Sequence, residues 1–222
     1  MFFYYLRRIV VELLDLGSFF LMALGIVLCI RFFVFSPFTV VGMSMEPTFQ
    51  SNDFVLIDKI SSQKMKIQDW TNQSGGNQTA KFIGNTISSI LPTITRGDII
   101  VFVPPGKDIH YIKRVIGLPG ETVTISENKV HICKTNTNDC FVLDESYLGS
   151  GMQTLAVCGI NSFDIDNGLF VMGDNRDHST DSRCCFTIGC YGDQSINKHF
   201  VVPYDYIIGK VWKRILPHYT SY

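Results

Sequence analysis

From Leu16 to Phe35 the chain reads LGSFFLMALGIVLCIRFFVF, with Arg31 as its one charge. Twenty helical residues at about 1.5 Å each reach about 30 Å, the hydrocarbon thickness of a bilayer. Such a segment either crosses a membrane or is a secretory leader. Arg31 stands near the end of the span, where its guanidinium can reach the headgroups at modest cost. Arg7 and Arg8 resemble the basic start of a leader. No small-x-small cleavage pattern follows the apolar core, however; Phe32, Phe33, Phe35 and Phe38 fill that place. A retained anchor over 16–35 is the expectation. Arg7 and Arg8 precede it, and no lysine or arginine occurs between Ser36 and Asp58. Basic residues beside a span stay in the cytoplasm, so 1–15 should be cytoplasmic and 36–222 should lie across the membrane.

At 222 residues the chain can hold one domain, or one with a small insertion. Its net charge of -1, without a basic tract, argues against a nucleic-acid binder. Cys133, Cys140, Cys158, Cys184, Cys185 and Cys190 lie beyond the span, and Cys29 lies within it. An even count on the non-cytoplasmic side fits disulfides. Cys133 and Cys140 enclose a short polar loop and are the first candidates for a pair. A zinc site would have to use Cys184, Cys185, Cys190, His178 and His199. Their spacing contains no CxxC pair, so no metal is expected.

Ser36-Pro37 should end the helix, because the residue before proline disfavours that conformation. Phe54 to Ile57, Ile99 to Val103, His110 to Ile116, Leu169 to Met172 and Tyr206 to Ile215 read as strands between Gly/Pro turns. Thr122 to Ile132 reads as a hairpin about Glu127-Asn128. Residues 61–95, rich in Ser, Asn, Gln and Gly, read as a surface excursion with a short helix near Lys81 to Ile90. Many short strands and little amphipathic helix predict a mainly β, barrel-like domain.

Ser44 lies nine residues after the apolar segment, in the run GMSMEPTF. A serine hydroxyl is a weak nucleophile until a base takes its proton. His178, among Asp174, Asp177 and Asp181, is one candidate base. Lys113 is the stronger one. It stands in YIKRV, where apolar neighbours on a strand face could desolvate the ammonium and lower its pKa. Arg114 cannot serve, since guanidinium stays protonated. Taken alone, a lysine in a strand is usually a solvated edge residue. From Asp174 to Arg183 ten polar residues follow Gly173. They form either a solvated loop or a network of ion pairs that stiffens a site.

With these segments in place, the chain resembles the bacterial type I signal peptidases, the Ser-Lys dyad family. The matching stretches come in order: the anchor, SMEPTF at Ser44, RGDIIVF at Arg96 to Phe102, YIKRVIGLPGE at Tyr111 to Glu121, and GDNRDHSTDSR at Gly173 to Arg183. A weaker match is VPYDYIIGKV at Val202 to Val211. The resemblance implies a β-barrel-like catalytic domain with a small inserted β subdomain at 122–170. It implies Ser44 as nucleophile, Lys113 as general base, and Ser179 as a hydrogen-bonding support near the lysine. Asp181 and Arg183 correspond to a supporting ion pair, and Asp174 and Arg176 to residues that order the same loop. Phe38, Val40, Phe49 and Ile112 correspond to the walls of pockets for small side chains. The Ser44 N–H is the implied oxyanion donor. Gly42 stands where many members carry a hydroxyl, and Val41 where the family has proline. No cofactor is implied. The implied substrates are exported preproteins carrying signal peptides, cut after small residues at P1 and P3. The implied enzyme is a monomer in the bacterial inner membrane, with its catalytic domain periplasmic. Two rivals stay open: a conjugation or pilus-subunit peptidase of the same clan, and a non-catalytic anchored β-domain that binds exported chains.

Overall fold

The computed structural model describes residues 1–73, 78–104, 107–135, 137, 139–184, 186 and 200–216. Helix α1 (Phe2–Phe33) is longer than the apolar segment predicts. Its first two turns are FFYYLRR, free of proline and glycine, so nothing interrupts the helix before Leu16. It stops two residues earlier than expected. Phe35 belongs to strand β1 (Phe35–Thr39), where it pairs with Asp58, and Pro37 holds that stretch extended. The apolar window Arg7–Arg31 is buried nowhere in the protein. An all-round apolar helix with no protein cover needs an apolar medium.

Among the described residues, ten strands form two antiparallel sheets. The larger has the order β1-β2-β10-β3-β4-β9. Its members besides β1 are β2 (Phe54–Asp58), β3 (Ile99–Phe102), β4 (Tyr111–Gly117), β9 (Phe170–Met172) and β10 (Ile207–Leu216). The smaller is β7-β6-β5-β8. It contains β5 (Glu121–Ser126), β6 (Lys129–Lys134), β7 (Cys140–Val142) and β8 (Ser162–Ile165). This smaller sheet enters the chain between β4 and β9, so it is the inserted β unit. Glu127 and Asn128 close the β5–β6 hairpin with φ of 52° and 61°. Positive φ at both central residues is what a two-residue turn between twisted strands requires. A disulfide joins Cys133 to Cys140 across the β6–β7 pair.

One core fills the space between the sheets, around Ile116, Val123, Ile132, Phe163, Phe170 and Met172. A second lies on the larger sheet around Ile100, Phe102, Val115 and Val171. A third, built from Val40, Met45, Phe49, Val55, Ile57 and Val101, carries the loop that bears Ser44.

The helix expected near Lys81 to Ile90 is present as α3 (Gln78–Ile90), and the surface excursion before it differs from expectation in forming a second helix, α2 (Ile60–Gln73). The buried positions of α2 are Ser61, Ser62, Met65 and Thr71. A face made mostly of hydroxyl residues leaves no apolar periodicity to read.

Candidate active site

The Ser44 loop is held from both sides. Behind it, Met45 and Phe49 sink into the third core. In front, the Asn175 N–H donates to the Ser44 carbonyl at 3.0 Å, and Asn175 Nδ2 donates to the Met43 carbonyl at 3.1 Å. Gly173 makes this approach possible. A Cβ there would collide with the Ser44 carbonyl oxygen and with Ser179.

Lys113 sits on β4 opposite Ile100 of β3. The residue is only 4% exposed. Its Nζ lies 2.7 Å from Ser44 Oγ and also donates to the Ile112 carbonyl at 2.9 Å. The Tyr111 ring centroid is 5.6 Å away. Burial pulls the amine down from its ordinary 10.5 to about 8, against the opposing pull of the Asp181 and Asp174 charges. Desolvation wins because neither carboxylate is free: each is already matched by an arginine.

Asp174 is fully buried and grips Arg114 with two bonds, 2.8 Å from Nε and 2.6 Å from Nη2. Thr48 Oγ1 donates to the same carboxylate, which ties the serine loop to the polar loop. Asp181 and Arg183 form the expected pair, at 2.9 Å and 3.0 Å. Asp181 also accepts from the Gly173 N–H at 3.1 Å. Arg176 does not pair with Asp174. It reaches Glu145 at 2.6 Å, Tyr147 Oη at 3.2 Å and the Thr154 hydroxyl, all in the inserted unit. Burial and the Glu145 charge push the Tyr147 phenol up, so it stays neutral as an acceptor for Arg176. Arg114, Asn175, Thr48, Glu145 and Tyr147 are thus parts of the site that the sequence reading gave no role. Arg114 could have been flagged, since a second charged residue beside Lys113 in a half-buried strand needs a partner.

Ser179 is placed beside Gly173, but its Oγ is buried with no hydrogen-bond partner among the described residues. The expected hydrogen bond near Lys113 is therefore not formed. Its contact with the glycine is one of packing. His178 is exposed, and no bond joins it to Ser44 among the described residues. Cys184 is bridged to Cys158. Cys185, Cys190 and His199, the other members of the zinc alternative, lie outside the described residues.

Ser44 and Lys113 open onto a cleft of about 660 Å³. The walls are the stretch from Phe38 to Met43 on one side and that from Asp108 to Ile112 on the other. Phe38, Val40 and Ile112 line it as expected. Phe49 does not; it lies beneath, in the third core. His178 and Thr180 close one end. A serine hydroxyl lies against a desolvated amine, in a cleft bordered by the edge strand β1, an arrangement in which the amine can take the hydroxyl proton.

The family model described as "Signal peptidase, peptidase S26" matches residues 13–215. Signal peptidase I S of Bacillus subtilis (strain 168) is 32% identical over 180 residues, covering 78% of this chain and 79% of the relative. Signal peptidase I of Pseudomonas fluorescens is 30% identical over 224 residues, covering 90% and 71%. A crystal structure of a signal peptidase I from Enterococcus faecalis V583 aligns at 25% identity with a TM-score of 0.35, covering 53% of this chain and 96% of that one. The chain belongs to the signal peptidase family, peptidase S26.

Proposed function

We propose that this protein is a membrane-anchored serine endopeptidase that removes signal peptides from exported preproteins, using Ser44 and Lys113. The observation that carries this reading is the 2.7 Å contact between Lys113 Nζ and Ser44 Oγ, made by an amine with almost no exposure. Helix α1 is the anchor, and the periplasmic catalytic domain begins at β1. The substrate lies extended in the cleft, adding main-chain hydrogen bonds to the edge of β1. Ser44 Oγ attacks the scissile carbonyl carbon while neutral Lys113 takes the hydroxyl proton. The oxyanion is met by the Ser44 N–H. Lys113 then returns the proton to the leaving amine of the mature protein, and the signal peptide stays esterified to Ser44. Water, deprotonated by Lys113, cleaves the ester and restores the serine. Gly42 lacks a side-chain hydroxyl, so no second donor comes from that position. Its φ of 93° also disfavours any L side chain there.

The cleft walls Phe38, Val40 and Ile112 are the side chains that would restrict P1 and P3 to alanine size. A preprotein with alanine at P1 and P3 is expected to be cut, and the same preprotein with phenylalanine at P1 to be spared. Equal cleavage of both would remove the pocket assignment. A conjugation or pilus-subunit peptidase would instead leave the generic preprotein intact.

A further inference from the structure

Helix α3 is packed the wrong way round for a helix in water. At 100° per residue, Phe82, Ile83, Ile87 and Ile90 fall within an arc of about 140°. All four are exposed, Phe82 at 74% and Ile90 at 79%. The face turned to the protein carries Gly84 and Ser88 instead. Gly84 lies against the Thr71 side chain of α2, and a Cβ there would collide with it. The orientation is therefore set by a small-residue contact that keeps the apolar stripe outward. Trp70 on α2 is exposed as well.

The hairpin starts where the anchor ends. The Lys59 N–H, one residue before α2, donates to the Val34 carbonyl, one residue after α1, at 2.9 Å. The return end of α3 is at the same level. Lys210 pairs with Asp58 in the sheet and reaches the Thr93 carbonyl, three residues beyond Ile90, at 3.4 Å. Lys81 is the one charge on α3, while α2 carries Lys64 and Lys66 against Asp69, Lys66 donating to the Asp205 carbonyl at 3.3 Å. A helix with an outward apolar stripe and a lysine but no acid, next to the exit of a spanning helix, fits the interface of an anionic bilayer.

We propose that α3 lies in the membrane interface, with Phe82, Ile83, Ile87 and Ile90 among the acyl chains and Lys81 at the headgroups. The stripe would sit roughly 5–10 Å deep. The catalytic domain is then held to the surface at two points, α1 and α3, and cannot turn freely about the short junction at Val34. This inference rests on the anchored reading above.

The test uses the full chain in vesicles of phosphatidylcholine and phosphatidylglycerol with brominated acyl chains. In a Trp70→Phe, Trp212→Phe background, single tryptophans are placed by Phe82→Trp, Ile87→Trp, Asn85→Trp and Leu24→Trp. Cleavage of a preprotein confirms that each variant is folded. Emission from Phe82→Trp and Ile87→Trp should be lost to bromine quenching to a similar degree as from Leu24→Trp within the anchor. Asn85→Trp, on the polar face, should keep its emission. Quenching of Leu24→Trp alone would overturn the proposal and leave the anchor intact. Protection of the α3 tryptophans from aqueous acrylamide without bromine quenching would mean that a protein, such as a second copy, covers the stripe, and would also overturn it. If Leu24→Trp is not quenched, the anchor and this proposal fall together.

Discussion

Lys113→Met is expected to remove preprotein cleavage almost completely, and Ser44→Ala to remove it to background. Methionine keeps the volume and linear shape of the lysine stem, so the β3–β4 pairing and the packing beneath Ser44 should survive. What is lost is the group within reach of the hydroxyl proton. A positioned general base is worth about 10²–10⁴-fold, and Lys113 is the one titratable side chain bonded to Ser44 Oγ among the described residues. Arg114, next in sequence, cannot replace it, since its guanidinium is committed to Asp174 and does not deprotonate. His178→Ala should keep turnover, because that imidazole is exposed and makes no bond to the serine. Single-turnover cleavage of one preprotein by the three variants and the parent decides the matter. Parent-like turnover by Lys113→Met would refute the lysine as base. Loss on His178→Ala with retention in Lys113→Met would install the Ser-His alternative.

The second large effect is in pH. The base works only when uncharged, so kcat/KM should climb with pH and level off above the pKa of Lys113 in the free enzyme. With that pKa near 8, the value at pH 6 should lie roughly a hundredfold below the plateau, falling tenfold per pH unit. The sign follows from the cause. Burial disfavours the ammonium, which lowers the lysine pKa and brings the neutral amine within reach of neutral pH. Weakening the counter-charges acts in the same direction. Asp181→Asn would remove an anion that stabilises the ammonium, so its ascending limb should move to lower pH. A limb centred near 10.5 would mean a solvated lysine. A flat profile would mean that this amine does not act as the base.

Much of this site was legible because its chemistry sits in short runs. Ser44 follows the apolar segment closely, and Lys113 stands among β-branched neighbours. Asp181 and Arg183 are two residues apart and pair with each other. The β5–β6 hairpin was legible because Glu127 and Asn128 interrupt alternating strands. What escaped was partner choice across the fold. Asp174 meets Arg114 sixty residues away in sequence, and Arg176 meets Glu145 thirty-one away. Those matches come from the register of β4 against β9, which puts Arg114 opposite Met172, two residues before Asp174. Local spacing instead suggests Asp174 with Arg176, which the structure does not form. Of the α2–α3 pair, α3 was expected near Lys81 to Ile90, but α2 escaped for another reason. The buried face of the pair is Ser61, Ser62, Met65, Thr71, Gly84 and Ser88, with Met65 its one large apolar side chain, so most of its hydrophobic residues point away from the protein. The apolar helix was plain, but its start was not. A composition rule marks where a chain is apolar, whereas the helix continues back to Phe2 through residues that simply do not break it.

The charge state of the Lys113 amine can be observed without turnover. With 13C-labelled lysine in the Ser44→Ala protein and in the parent, the Lys113 Cε resonance, assigned by its absence in Lys113→Met, can be followed across pH. A midpoint near 8, well below the ordinary lysine value of 10.5, is the predicted result. A midpoint at the ordinary value would show an amine that stays charged at neutral pH, and the account of Ser44 activation by Lys113 would be contradicted.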